Sequence, residues 1–307
     1  MNNRDPIRPQ ASVAARPAWL GRPLWQDRIY SVPRGRLISA LGVALAAAGC
    51  APAGPRTAPD AMEALRSQQV LTGTPHSLSV LRAGKPQGAR LILVHGTPGE
   101  AVGWADYLLN PPAGMEVLAL DRPGFGHSDP AGAVTGLAEQ AAAVLALMPT
   151  DGRAVVLLGH SLGGAVVARV AADHPERVSG LVLLAASLDP AQESIHPMQR
   201  LGAWAPVQAL LPRALRNANQ ELMAFKSELQ ALAALLPRIR AKVVIVHGTQ
   251  DDLVPVANVP YMQAQLSGAR CVQTVLLQGQ NHFLPWNNED VVRAAILSAL
   301  DFACPAA

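Results

Sequence analysis

Charge and cysteine are both scarce in this chain. Only 15% of its 307 residues are Asp, Glu, Lys or Arg, against 50% hydrophobic, a balance that supplies a core and excludes a disordered chain. Three cysteines are too few for a disulfide scaffold, and a domain of this size buries roughly 75% of its unfolded surface without one. No apolar run approaches the roughly 20 residues that a membrane-spanning helix needs. The sequence has no H-E-x-x-H spacing and no G-x-G-x-x-G following a strand-like run, so no metal or other cofactor is expected. A basic domain surface is missing too, although the chain carries a net +3 and a pI near 9.0. The first 36 residues hold seven arginines against Asp5 and Asp27, a net of +5 that leaves residues 37–307 at −2. The positive charge belongs to an N-terminal arm, which argues against a nucleic-acid partner.

What is present begins with an address. Arg34 and Arg36 precede about 12 mostly apolar residues at 37–48, followed by Gly49, Cys50 and a stretch rich in Pro, Gly and Ala. A positive start, a short apolar run and small residues before a cut mark a secretory signal. The pattern resembles a bacterial lipoprotein signal, which implies acylation of Cys50 and attachment to a membrane. It departs from that family at Ala47, where Leu is usual. The expected organisation is a basic arm at 1–33, a signal at 34–50, a linker at 51–74 and a folded domain at 75–303. The expected location is the periplasm or cell envelope. The rival reading makes 37–48 a buried or amphipathic helix of a cytoplasmic protein. Cys271 and Cys304 either pair in an oxidising compartment or remain two buried thiols.

Beyond residue 77, apolar runs at 91–94, 117–120, 155–158, 181–184, 243–246 and 274–277 alternate with helical patterns at 135–148, 162–173, 256–266 and 288–302. Continuous apolar runs of this length predict strands buried on both faces. Strands alternating with helices predict an α/β fold built on a mostly parallel, doubly wound sheet. Ligands of such sheets bind beyond the carboxyl ends of the strands. Residues 189–240 contain no strand pattern, and 212–236 reads as helix. So long an insertion predicts a small helical cap; the alternative is a crossover helix with long loops. Trp204, Leu210, Leu211, Met223 and Phe225 either line an acyl pocket or form the core of that cap.

The run at 155–158 leads directly into Gly159-His160-Ser161-Leu162-Gly163, with a helix starting at once. This is the strand–turn–helix setting that a G-x-S-x-G nucleophile requires. A serine hydroxyl needs a base, and the base needs an orienting acid. Asp251 and His282 both follow strand ends, in the order Ser, acid, His. Asp251 and Asp252 also suit the cap of a following helix.

These blocks, with His95-Gly96-Thr97-Pro98-Gly99 and Asp121-Arg122-Pro123-Gly124-Phe125-Gly126-His127-Ser128, resemble the α/β-hydrolase superfamily over about residues 75–303. The resemblance implies Ser161 as nucleophile, His282 as base, and Asp251 rather than Asp252 as acid. It also implies an oxyanion hole from the backbone N–H groups of Thr97 and Leu162. His95, His160 and His247 fall at positions usually structural in that family, and the block at 121–128 usually shapes the site entrance. The implied partner is a small-molecule acyl substrate, most simply a carboxylic ester. Acyltransferases, carbon–carbon bond hydrolases and perhydrolases share the triad, and an idle, lipid-anchored binding module is the remaining alternative.

Overall fold

Apolar strands with no polar face need cover on both sides, and here helices supply it. The structure, a computed structural model, describes residues 59–71, 76–301 and 304; Cys50 and the signal pattern at 34–50 lie outside these described residues. Strands β1 (Arg66–Val70), β2 (Ser77–Gly84), β3 (Ala89–Val94), β4 (Met115–Leu120), β5 (Val155–His160), β6 (Gly180–Leu184), β7 (Lys242–Gly248) and β8 (Cys271–Leu277) form one sheet. Its order is β1-β2-β4-β3-β5-β6-β7-β8. From β4 to β8 every neighbouring pair is parallel, whereas β2 runs antiparallel to both β1 and β4.

Side chains alternate across a strand, and the two sets feed two separate cores. Ile92, Val94, Leu118, Leu120, Leu157 and Ile245 face one cluster. Leu91, Leu93, Val117, Ala119, Leu158 and Val246 face the other. Helices α1 (Pro59–Glu63), α2 (Ala105–Leu109), α3 (Leu137–Leu145) and α4 (Leu162–Asp173) come before the cap; α5 (Pro197–Ala203), α6 (Ala205–Leu210) and α7 (Arg213–Ala233) form it. The chain then returns through α8 (Asn258–Gln265), α9 (Leu284–Asn287) and α10 (Glu289–Asp301). The insertion at 189–240 contains only helical elements, as its sequence predicts.

Three expectations change. The sheet reaches further toward the N-terminus than a domain start at 75, because β1, inside the expected linker, pairs along its full length with β2. Neither strand has the continuous apolar run used to find the others. The last strand, expected to be buried on both faces, lies at the sheet edge with one neighbour, and its Leu276 is exposed. An edge strand has cover on fewer sides, so its apolar residues reach solvent. Cys271, which opens β8, is bonded to Cys304 with 5.7 Å between their Cα atoms; they are not two free thiols.

Candidate active site

The turn after β5 is built under steric pressure. Ser161 has φ 56° and ψ −127°, a region that non-glycine residues avoid and that costs on the order of 1–3 kcal/mol. The flanking glycines are there because nothing larger fits. A Cβ on Gly159 would lie 2.2 Å from the Gly163 carbonyl oxygen, and one on Gly163 would lie 2.5 Å from that of Val94. The strained turn is held by Ser161 N–H donating to the Leu184 carbonyl at 3.1 Å and by Gly164 N–H donating to the Ser161 carbonyl at 2.9 Å. Leu162 opens α4, so its N–H belongs to the first turn, which has no acceptor within the helix.

Asp251, three residues beyond β7, does two jobs with one carboxylate. Oδ1 accepts from the N–H groups of Leu253 and Val254 at 3.0 and 2.8 Å, and Oδ2 lies 2.7 Å from Nδ1 of His282. The neighbouring Asp252 is exposed, whereas Asp251 is buried. Burial works to raise the Asp251 pKa, but the His282 hydrogen bond and charge and the Val254 N–H together hold it below the ordinary carboxylate value. An ionised Asp251 can only accept, so His282 presents Nδ1–H to it, and Nε2 is the ring nitrogen left for another partner.

Two further histidines brace this pair. The Nε2 of His160 donates to the main-chain carbonyl of His282 at 3.0 Å, and the two rings lie against each other at a 41° tilt with centroids 4.6 Å apart. Burial, reinforced by the neighbouring His282, pushes the His160 pKa down to about 3, so the ring is neutral. His282 therefore sits against the residue that immediately precedes Ser161. His247 bonds the Val254 carbonyl through Nε2 at 2.9 Å and stands 3.7 Å from Asp251; burial lowers its pKa as well.

The loop after β3 closes over the serine. A Cβ on Gly96 would lie 2.8 Å from Ser161 Cβ and 3.4 Å from its Oγ, so only glycine permits this approach. Thr97 follows directly, and its Oγ1 is buried with no partner among the described residues. His95 Nε2 accepts from the backbone N–H of Arg122 at 3.0 Å, which leaves Nδ1 to carry the proton and donate to the Gly96 carbonyl at 2.7 Å. Burial and the Arg122 charge keep the His95 pKa well below its ordinary value.

Most of the block at 121–128 is packed inside, with His127 exposed. Asp121, Arg122, Phe125 and Ser128 are all buried. Asp121 accepts from Ala101 N–H and His127 N–H at 2.7 and 3.0 Å and pairs with Arg66. Arg122 donates to the carbonyls of His95 and Gly96, each at 3.0 Å. It also forms a bidentate pair with Glu221 of α7 at 2.7 and 3.1 Å. Glu221 lay unremarked in a helical stretch of the cap, because its partner is 99 residues away.

The cap itself is loosely held at its outer end. No residue of α5 or α6 is buried, and Trp204 and Leu210 are 62% and 85% exposed. Neither forms a cap core. Phe225, by contrast, joins the main core together with Leu229 and Leu232. Among the described residues, no group of three or more His, Cys, Asp or Glu is placed to hold a metal ion.

Known proteins share this arrangement of elements. A family model described as the alpha/beta hydrolase fold matches residues 89–234. The acetyltransferase component of an acetoin cleaving system from Cupriavidus necator is 40% identical over 110 residues. That stretch is 35% of this chain and only 29% of that protein. A pimeloyl-[acyl-carrier protein] methyl ester esterase from Aeromonas hydrophila is 29% identical over 250 residues, with 67% of this chain and 92% of the esterase covered. In the solved structure of a 2-hydroxy-6-oxo-6-phenylhexa-2,4-dienoate hydrolase from Rhodococcus sp. strain RHA1, the fold recurs with a TM-score of 0.60. Identity is 21%, and 76% of this chain and 98% of that one are covered.

Proposed function

We propose that this chain, which shares the α/β-hydrolase fold and resembles a methyl ester esterase over most of that protein's length, is a serine hydrolase cleaving a carboxylic ester through Ser161, His282 and Asp251. The observation that carries the reading is the buried 2.7 Å bond from Asp251 to His282, on the same sheet edge as the strained turn that raises Ser161. His282 Nε2 takes the Ser161 proton as Oγ attacks the ester carbonyl carbon. The N–H groups of Thr97 and Leu162 hold the oxyanion of the tetrahedral intermediate. His282 then returns the proton to the departing alkoxide, which leaves an acyl group on Ser161. Water repeats the sequence, releasing the acid and restoring the serine. Asp251 keeps the His282 ring aimed and stabilises its charged form.

A serine-directed fluorophosphonate tests this. It is expected to label the wild type at Ser161 and to leave Ser161→Ala unlabelled. Labelling elsewhere, or ester hydrolysis retained by Ser161→Ala, removes the reading. A dienoate, cleaved at a carbon–carbon bond, is the second substrate class, favoured by relatives in Burkholderia cepacia and Pseudomonas sp. that are named as hydrolases of 2-hydroxy-6-oxo-dienoates and related compounds. Side-by-side turnover of an ester and a ring-cleavage dienoate separates the two.

Export with acylation of Cys50 belongs to the same proposal. Its support is the 34–50 pattern and the Cys271–Cys304 bond, which suits an oxidising compartment. Mass spectrometry of the mature N-terminal peptide tests it: an acylated Cys50 is expected, and a free Cys50 within an uncut chain ends it.

A further inference from the structure

The geometry points to Arg122 as a positioning residue that aims the Thr97 N–H, with Glu221 tying that aim to the cap. The inference rests on the reading of Ser161 and Thr97 above and adds to it a residue given no part in the chemistry. The Gly96 carbonyl and the Thr97 N–H belong to one peptide unit, which is trans. A planar trans peptide points its C=O and N–H in opposite directions, so whatever fixes the oxygen also aims the hydrogen. That oxygen receives two donors, Arg122 Nη2 at 3.0 Å and His95 Nδ1 at 2.7 Å.

The grip is reinforced along the loop. Arg122 Nε holds the preceding His95 carbonyl at 3.0 Å, and the Arg122 N–H holds the His95 ring at 3.0 Å. Three contacts from one residue thus fix both peptides that lead to Thr97. Donation to an amide oxygen also polarises the unit and strengthens its N–H as a donor, as an oxyanion partner requires.

Arg122 is fully buried, and a guanidinium there needs a counter-charge. Glu221 supplies it from α7, and Gln140 Nε2 of α3 donates to the same carboxylate at 3.1 Å. Phe125 lies under the guanidinium, 4.8 Å from its centre. The fork leaves Arg122 one orientation, in which Nη2 bonds both Glu221 and the Gly96 oxygen. The seating of the cap helix and the direction of the oxyanion donor are therefore set together. Lysine has no planar fork and cannot hold both ends.

The test uses full-length wild type, R122Q, R122K, E221Q and the R122Q/E221Q double variant. Each is measured for kcat and KM on p-nitrophenyl butyrate, for inhibition by a trifluoromethyl ketone, and for melting temperature. In the ketone adduct an oxyanion occupies the place it takes in the reaction. R122Q and R122K are expected to lose at least about tenfold in kcat, within the ~100–1,000-fold cost of an oxyanion donor. KM should stay within about threefold, and ketone inhibition should weaken in step with kcat. E221Q is expected to lose about three- to tenfold, with the double variant no worse than R122Q alone, as members of one network behave. The inference is overturned if folded R122K and E221Q keep kcat and ketone affinity within twofold, or if the losses fall on KM alone.

If R122Q does not fold, R122K and E221Q carry the same test. The Thr97 amide resonance, followed by 15N–1H spectroscopy, reads the peptide without catalysis and should move in R122K. An unmoved resonance also overturns the inference. Should wild type resist the fluorophosphonate, the serine-hydrolase reading fails by itself, and the Thr97 resonance still decides whether Arg122 sets that peptide.

Discussion

The carboxyl edge of the sheet and the outer cap differ sharply in how firmly they are held. In α4, which begins beside Ser161, ten of twelve residues are buried; in α5 and α6 none is. Around the serine, backbone atoms approach so closely that even a methyl group has no room. In the cap, Trp204 and Leu210 project into solvent. Dense packing holds reacting groups to the narrow tolerances that catalysis needs, while sparsely packed segments open at low cost. Under the proposed function, this division puts the chemistry at the rigid edge and substrate choice in the cap. The inner face of α7 bridges the two, through Phe225 and Leu229 in the main core and Glu221 on Arg122.

The comparison breaks most plainly if the rigid edge proves dispensable. Ser161→Ala is expected to lower p-nitrophenyl ester hydrolysis by at least about 10⁴-fold with almost no change in melting temperature; activity above that level points to another nucleophile. Asp251→Asn comes next, with a loss of about 10³–10⁴-fold, because an amide can present the wrong hydrogen-bonding partner to His282. A steady-state assay beside a thermal melt separates this from unfolding. Ser161→Gly, also inactive, should be about 1 kcal/mol more stable than Ser161→Ala in urea titration, since glycine accepts φ 56° without strain. Equal stability would mean that the turn stores none.

His160 predicts a pH dependence of comparable size. Its folded-state pKa is about 3 and its unfolded value about 6.5, so between them the unfolded chain binds the extra proton. Stability is therefore complete above about pH 6.5 and falls as pH drops, by up to about 1.4 kcal/mol per unit for this one group. In His160→Gln that share of the slope should vanish from urea midpoints taken between pH 4 and 7. The smallest effect belongs to the cap: Trp204→Ala and Leu210→Ala should each change stability by less than about 0.5 kcal/mol while shifting acyl-length preference a few-fold. A large destabilisation would mean that the cap is packed as tightly as the edge.

Much of the fold was legible because its signals are local. The apolar runs at 91–94, 117–120, 155–158, 181–184 and 243–246 all lie within parallel strands, since continuous hydrophobicity suits a strand covered on both faces. β1 and β2 were missed because an antiparallel strand at the margin carries mixed residues, such as Arg66-Ser67-Gln68-Gln69-Val70, that resemble a loop. The last run misled in the other direction: hydrophobicity at 274–277 cannot tell an edge from a centre. For the site, Asp251 and His282 were found by their places after strand ends, and the structure brings them to 2.7 Å. Arg122 and Glu221 were not paired, because neither has a local pattern that points to the other.

By itself the sequence determined the central parallel strands, the helical nature of the 189–240 insertion and where the G-x-S-x-G turn falls. Each depends on neighbours along the chain, through side-chain periodicity or the steric limits of a turn. Tertiary structure alone decided that Asp121 and Arg122 are buried, that β8 is an edge, and that Cys271 meets Cys304. It also decided that a cap glutamate grips an arginine beside the Gly96–Thr97 peptide. These pairings join residues many tens of positions apart, and burial selects them: a charge or polar group taken out of water must find a partner in space.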